Sequence, residues 1–375
     1  MHIHKFLILV ICIINACVDI LECPGQPQGV SFTWETTVLG TFGADSHIYD
    51  TCILNSNLAY GVGYFTQPDS LDNSTPSIYN VAIWDGTQWT PDRFSEAYFS
   101  PEGIVDSTIG GQLEGIISVD NSGLWFNETS NSLTYYNGID YEFYAVPDLP
   151  PGCRRMAYSL FAISNSEIYI GNGLGEVYLF DGVTISHYID IPTDNAIIKI
   201  VGDASNIYIL SNMPCIPELP TYHISRLNSG TLSTIYHCDV AQPGPASSQL
   251  GVLLSMWLYD QLLYVVFSSG MYVYNPDDES MTSLFTAEEM GTEYVYIVDM
   301  DGNSPNDILL LGNHAEIFHY NGKTWSSDLS MSNTGKYIIE SHMEFDYHGD
   351  MVVFGGNYLQ NGWHRAAITV GRRND

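Results

Sequence analysis

Basic side chains are scarce in this sequence. Among 375 residues there are 11 Lys and Arg against 43 Asp and Glu, a formal net charge of −32. Such a chain repels phosphate, and no Lys/Arg cluster offsets the repulsion, so nucleic-acid binding is excluded. Charge of either sign is also thin, at 14% of residues against roughly a quarter in an ordinary globular domain. Hydrophobic residues nevertheless reach 45%, and Tyr alone contributes 26, which is too apolar and aromatic for a disordered chain. Helical periodicity with recognisable caps is missing throughout. Few basic residues beside abundant Tyr, Gly, Ser, Asn and Thr indicate an all-β extracytoplasmic protein.

The familiar catalytic signatures are missing too. HExxH, any His pair at i, i+4, GxxxxGK[ST], GxGxxG in context and GxSxG do not occur, which removes the zincin, phosphate-loop, dinucleotide and serine-hydrolase readings. His314 and His319 flank one hairpin but read as turn and strand, not as a metal pair. Carboxylates are so numerous that a glycosidase-like pair can always be chosen, so no single pair carries information. No CxxC exists, which excludes a zinc ribbon or a thioredoxin motif.

Residues 1–16 read MHIHKFLILVICIINA, with Lys5 before the apolar run Phe6–Ile14. That run is shorter than the ~20 residues a spanning helix needs and fits the core of a secretory signal. Ile14-Asn15-Ala16-Cys17 then resembles a bacterial lipobox, an aliphatic and a small residue placed ahead of Cys, with Asn at a position more often small or aliphatic. The expectation is a signal peptide over 1–16, lipid on Cys17, and a Pro/Gly-bearing tether over 17–29. The protein would be anchored to a bacterial membrane, at the outer membrane or cell surface. Residues 30–375 would form a single domain.

Two patterns alternate through that domain. In one, a polar turn feeds an apolar strand, with first aliphatic residues at Leu58, Leu124, Ile168, Ile207, Leu262, Ile308 and Met351. The mean spacing is about 49 residues, in the range of propeller blades. In the other, a strand ends at an aromatic and a tight turn, as in IWDGTQW (83–89), YYNGIDY (135–141), LFDGVTI (179–185) and HYNGKTW (319–325). Asp-Gly and Asn-Gly are strong hairpin signals because both residues tolerate positive φ. Each repeat therefore reads as four antiparallel strands. For the third these are 156–163, 167–173, 176–182 and 185–191. The seventh lacks an outer strand, and SFTWETTVL (31–39) lacks a blade. The expected fold is thus a seven-bladed β-propeller of four-stranded blades, closed by residues 31–39 on the last blade, which removes the open edges.

Asn306–Gly312 and Phe318–Trp325, together with SFTWET, YDTCILNSNLAYGVGYF and YNVAIWDGTQW, resemble a group of bacterial secreted and lipoprotein propellers over most of the mature chain. The resemblance implies the propeller and little chemistry. Some members carry a glucosyl transferase label, which nothing in these residues supports.

Propeller function concentrates in loops on a rigid scaffold. The long segments 66–78, 213–222 and 357–364 between second and third strands, and 95–112 and 147–155 between blades, all fall on one face. The candidate ligand-binding residues there are His47, Tyr98, Phe99, Arg154, Arg155, Tyr358, Trp363 and His364, aromatics beside rare basic groups that suit a glycan or a protein. The segment 298–307 offers Asp299, Asp301, Asn303 and Asp307 as oxygen ligands. It resembles the calcium loops of integrin-type propellers but lacks a bidentate Glu, so no cofactor is expected, with calcium the alternative. Cys215 and Cys238 are the expected disulfide. The ends of the second and fourth strands share a face about two ~4.8 Å strand spacings apart, so the Pro-flanked loop must curl to bring Cα atoms within ~6.8 Å. Cys52, on an inner strand, should be a buried thiol.

Two functions fit. The favoured one is a surface-anchored, non-catalytic, monomeric scaffold that binds a protein or glycan. The alternative is a glycan-active hydrolase, lyase or glycosyl transferase with its site in the central funnel. Convergent titratable groups with shifted pKa would mark the enzyme.

Overall fold

The computed structural model describes residues 32–40, 46–68, 76–100, 103–109, 111–128, 132–146, 157–191, 195–212, 221–239, 253–293, 295–328, 337–338, 345–360 and 363–374. Seven antiparallel sheets follow one another around a ring, each running outward from an innermost strand. The third blade is typical, with strands Ala157–Ser164, Glu167–Asn172, Glu176–Phe180 and Ile185–Asp190 in sequential order. The protein is a seven-bladed β-propeller. Strand character follows position. Second strands such as Ile207–Asn212, Leu262–Phe267 and Asp307–Gly312 are buried almost throughout, because each lies between two neighbouring blades. Their centres therefore read as apolar runs, without the alternation of a half-exposed strand. Outer strands such as Ile185–Asp190 and Ser280–Thr286 are largely exposed and correspondingly polar.

In blades one, two, three and six the third and fourth strands are joined by one repeated device. Asp85, Asn137, Asp181 and Asn321 each accept backbone N–H bonds from the residues two and three positions on. The following glycines, Gly86, Gly138, Gly182 and Gly322, take φ of 84–94°. Only the glycine is left-handed, so the turn has Gly at its first central position and the Asp or Asn acts as an acceptor before it. This differs from the mirror turn expected from the dipeptide, in which both residues would be left-handed. Directly across three of these turns an aromatic pair clamps the hairpin, Trp84↔Trp89, Tyr136↔Tyr141 and Tyr320↔Trp325, with ring centroids 4.7–5.5 Å apart. Such cross-strand pairs each contribute on the order of 0.2–1 kcal/mol.

The N-terminal strand Phe32–Val38 closes the ring. It pairs antiparallel with Trp363–Arg373, from Phe32↔Arg373 to Val38↔Ala367. Trp34 lies over Gly371, where an added Cβ would meet the indole at 2.1 Å, and its Nε1 donates to Asp328 of the sixth blade at 2.7 Å. Three features depart from the sequence reading. Segment 95–112 contains a hairpin, Ser95–Ser100 with Gly103–Ile109. Segment 357–364 is mostly strand, since Met351–Gln360 and Trp363–Arg373 pair up to Gln360↔Trp363. A single helical turn, Ala287–Met290, is held by a Thr286/Glu289 capping box and is too short to leave a periodic signal.

Candidate functional site

The innermost strands surround the ring axis, and most carry a bulge near their start. The residue after the bulge is Asp50, Gly115, Ser159, Lys199, Ser255 and Asp299 in blades one to six. Three of these bind the next blade. Asp50 accepts from the Ile116 N–H at 2.7 Å, Ser159 Oγ from Ile200 N–H at 2.9 Å, and Asp299 from Phe345 N–H at 3.0 Å. Deeper in the same strands, Asp301 accepts from Tyr347 N–H at 2.9 Å and Asp346 from Ile53 N–H at 2.6 Å, linking blades six, seven and one. Lys199 of blade four reaches Asp299 as an ion pair, and Ser255 of the intervening blade donates to the same oxygen. Burial lifts the Asp301 carboxyl to about 8 and the Asp346 carboxyl to about 6. Cys52 is a buried free thiol whose pKa rises through burial, with Asp346 and Asp50 adding to it. Glu114, which no motif pointed to, is lifted by burial to about 7.

These groups place the expected cation ligands. Asp299 and Asp301 lie on the strand Ile297–Ser304, not in a loop. Asn303 bridges to Gly349, accepting its N–H at 2.9 Å and donating to its carbonyl at 3.0 Å. Asp307, to which Asn303 Nδ2 also donates at 3.2 Å, sits at the seam of blades six and seven. There it accepts from Tyr347 Oη at 2.9 Å, contacts His319 Nε2 at 2.8 Å and pairs with Arg373. Burial opposes ionisation of Asp307, but the bonds from His319 and Arg373 prevail and hold its carboxyl at about 2. Phe32 of the closing strand packs edge-on against His319 and Tyr347. The four oxygen residues do not converge on one point. Among the described residues no group of three or more His, Cys, Asp and Glu side chains could hold a metal ion.

On the face carrying the interblade loops, His364 of blade seven, His47 of blade one and Tyr49 form a stack. The His47 and His364 rings are 6.5 Å apart at 11°, and His47 and Tyr49 are 5.5 Å apart at 2°. Tyr49 and Tyr358 both pack on the core between blades six and seven. Arg365 donates to the Gly40 carbonyl beside them at 3.1 Å.

No protein-family model matches the chain, and no curated protein matches it. Solved structures do. The ring is similar to YCF48 bound to D1 peptide, at a TM-score of 0.61 and 15% identity, over 94% of this chain and 100% of that one. It is also similar to YCF48 from Cyanidioschyzon merolae, at 0.56 and 11%, over 90% and 98%. At these identities the likeness is one of fold.

Of the eight loop-face residues expected from sequence, the structure thus brings together His47 and His364, whereas Tyr358 packs on the core between blades six and seven. Tyr98 and Phe99 fall in the hairpin between blades one and two, paired through their backbones with Asp106 and Ile104. Trp363 begins the third strand of blade seven. Arg154, Arg155, Cys17 and Cys215 lie outside the described residues, and with Cys215 the disulfide to Cys238. Tyr49 was missed, although its i, i+2 spacing from His47 on a strand puts the two on one face.

Proposed function

We propose that this protein is a lipid-anchored, non-catalytic scaffold on a bacterial membrane, and that it holds a protein ligand on its loop-bearing face at the seam of blades one and seven. The observation that carries this reading is the His364–His47–Tyr49 stack. Flat aromatic and imidazole faces with polar edges, mounted on rigid strands, suit a protein surface or a sugar ring. The similar fold in YCF48 is recorded with a bound peptide, which supports a peptide-like ligand over a glycan. Against an enzyme stands the disposition of the shifted carboxylates. Asp301 and Asp346 are engaged by N–H groups of the next blade, which makes them clamps of the ring and not an acid/base pair. Attachment would come through Cys17, with the chain a monomer.

Two experiments test it. Mass spectrometry of the protein from its native membrane should find a diacyl- or triacylglyceryl group on Cys17; a mature terminus elsewhere without lipid contradicts the anchoring. A peptide and glycan array probed with residues 30–375 should give a ligand whose binding falls on the order of tenfold in His47→Ala/His364→Ala. Binding that ignores this change refutes the site.

A further inference from the structure

A groove of about 520 Å³ opens between blades three and four on the opposite face, the one carrying the short turns. Glu167 follows the first turn of blade three, and Asp203 begins the first turn of blade four. The rings of Tyr169 and Tyr188 stand edge to face at 5.8 Å along one wall, and Ile207 and Leu227 contribute apolar surface. Its volume lies within the range of small-ligand sites.

The hydrogen bonding leaves acceptors over. Glu167 uses Oε1 to accept from Tyr169 Oη at 2.9 Å. Asp203 uses Oδ1 for the N–H groups of Ser205 and Asn206, at 2.7 and 2.9 Å. The second oxygen of each carboxylate has no such role. Among the described residues no Lys or Arg lines the groove, in a chain whose net charge is −32. Two carboxylates and two phenol rings without a cation among them suit a flat positive group. A guanidinium can take hydrogen bonds in its plane and lie against an aromatic face.

We propose that this groove is a second binding site, which takes an arginine side chain of an extended peptide, with Glu167 and Asp203 as its anionic anchors and Tyr188 as its stacking surface. The site lies on the far side of the ring from the His47/His364 stack and stands independently of the ligand assigned there. Exposed Tyr188 is the ring free to pack on the guanidinium, since Tyr169 is 5% exposed and already bonded to Glu167.

Because any acidic protein attracts cations, the test must separate the groove from the general field. Calorimetry at about 0.15 M salt would compare a capped triarginine peptide with its citrulline counterpart. The proteins are residues 30–375, Glu167→Gln/Asp203→Asn, Tyr188→Ala, and Asp140→Asn/Glu142→Gln. The last removes the same charge from exposed positions of blade two. Gln and Asn keep the acceptors that hold Tyr169 and the turn, so both double variants should melt with the parent. The expected result is saturable triarginine binding, weakened on the order of tenfold in the groove double variant and several-fold in Tyr188→Ala. It is changed less than about twofold in the blade-two control, and citrulline does not bind. Equal losses in both double variants, equal binding of citrulline, binding of a neutral trisaccharide in place of the peptide, or no binding at all would overturn the proposal.

Discussion

Four of the eleven basic residues of this chain are placed where blades meet. Lys199 joins blades four and six at the axis, and Arg226 reaches from blade four to the Pro276 carbonyl of blade five at 3.2 Å. Arg372 donates to the Gly86 carbonyl of blade one at 2.9 Å, and Arg373 pairs with Asp307. The excess of acid is therefore tolerated at the surface while single cations secure the seams. Removing one partner of the Asp307–Arg373 pair leaves the other poorly solvated, at a cost of about 3 kcal/mol. Asp307→Asn should accordingly lower the urea midpoint clearly, whereas Asp140→Asn, at an exposed turn, should leave it unchanged. The pH responses have opposite signs. The Asp301 carboxyl is near 8 when folded and near ~3.9 when unfolded, so the folded state holds a proton the unfolded state lacks between those values. Stability contributed by this group falls as pH rises across that window and levels off above it. Melting from about pH 5 to about pH 9 should show a decline that is shallower in Asp301→Asn. His223 behaves inversely. Burial, helped by neighbouring His237, lowers it to about 4, below the unfolded ~6.5, so its contribution is complete above ~6.5 and is lost as pH falls toward 4. His223→Gln should lose less stability than the parent between about pH 7 and about pH 4.5. A variant with the parental slope would contradict either assignment.

At the level of elements, the closing strand determines whether there is a ring. Without Phe32–Val38, the strand Trp363–Arg373 would present an unpaired edge. Deleting residues 30–40 should therefore produce aggregation or a large drop in melting temperature; a truncated chain that melts with the full domain would contradict closure. A single methyl tests the same joint. Gly371→Ala must displace the Trp34 indole and with it the bond to Asp328, so it should destabilise by about 1–3 kcal/mol, read as a shift in denaturant midpoint. The strands and turns of this architecture were legible because each signal is local. Second strands carry runs of three or more apolar residues since both faces are covered, as in Ile207–Asn212 and Asp307–Gly312, and the Asp-Gly and Asn-Gly hairpins carry their own acceptor and glycine. The axis was not legible. Asp299 and Asp301 resembled a cation loop, yet their i, i+2 spacing also describes one face of a strand. Their true partners, Phe345 and Tyr347, lie 46 residues away in the next blade. The loop-face site was half legible: His47 and His364 sit beside a long connection and a strand end that sequence could assign to one face, but the distance between blades one and seven in sequence hid their stacking.

Over the whole molecule, the proposed arrangement separates support from recognition. The shifted carboxylates at the axis are bonded from blade to blade, and the two sites proposed for ligands lie on the faces of the ring. One binding measurement on residues 30–375 distinguishes that division from catalysis at the axis. The ligand found by array is titrated against the parent, His47→Ala/His364→Ala, and Asp301→Asn, with the ligand recovered afterwards and weighed by mass spectrometry. Only the loop-face double variant should lose affinity, on the order of tenfold; Asp301→Asn should bind as the parent does, and the ligand should return chemically unchanged. A cleaved or transferred ligand, with turnover abolished by Asp301→Asn, would instead show that the axis is a catalytic site.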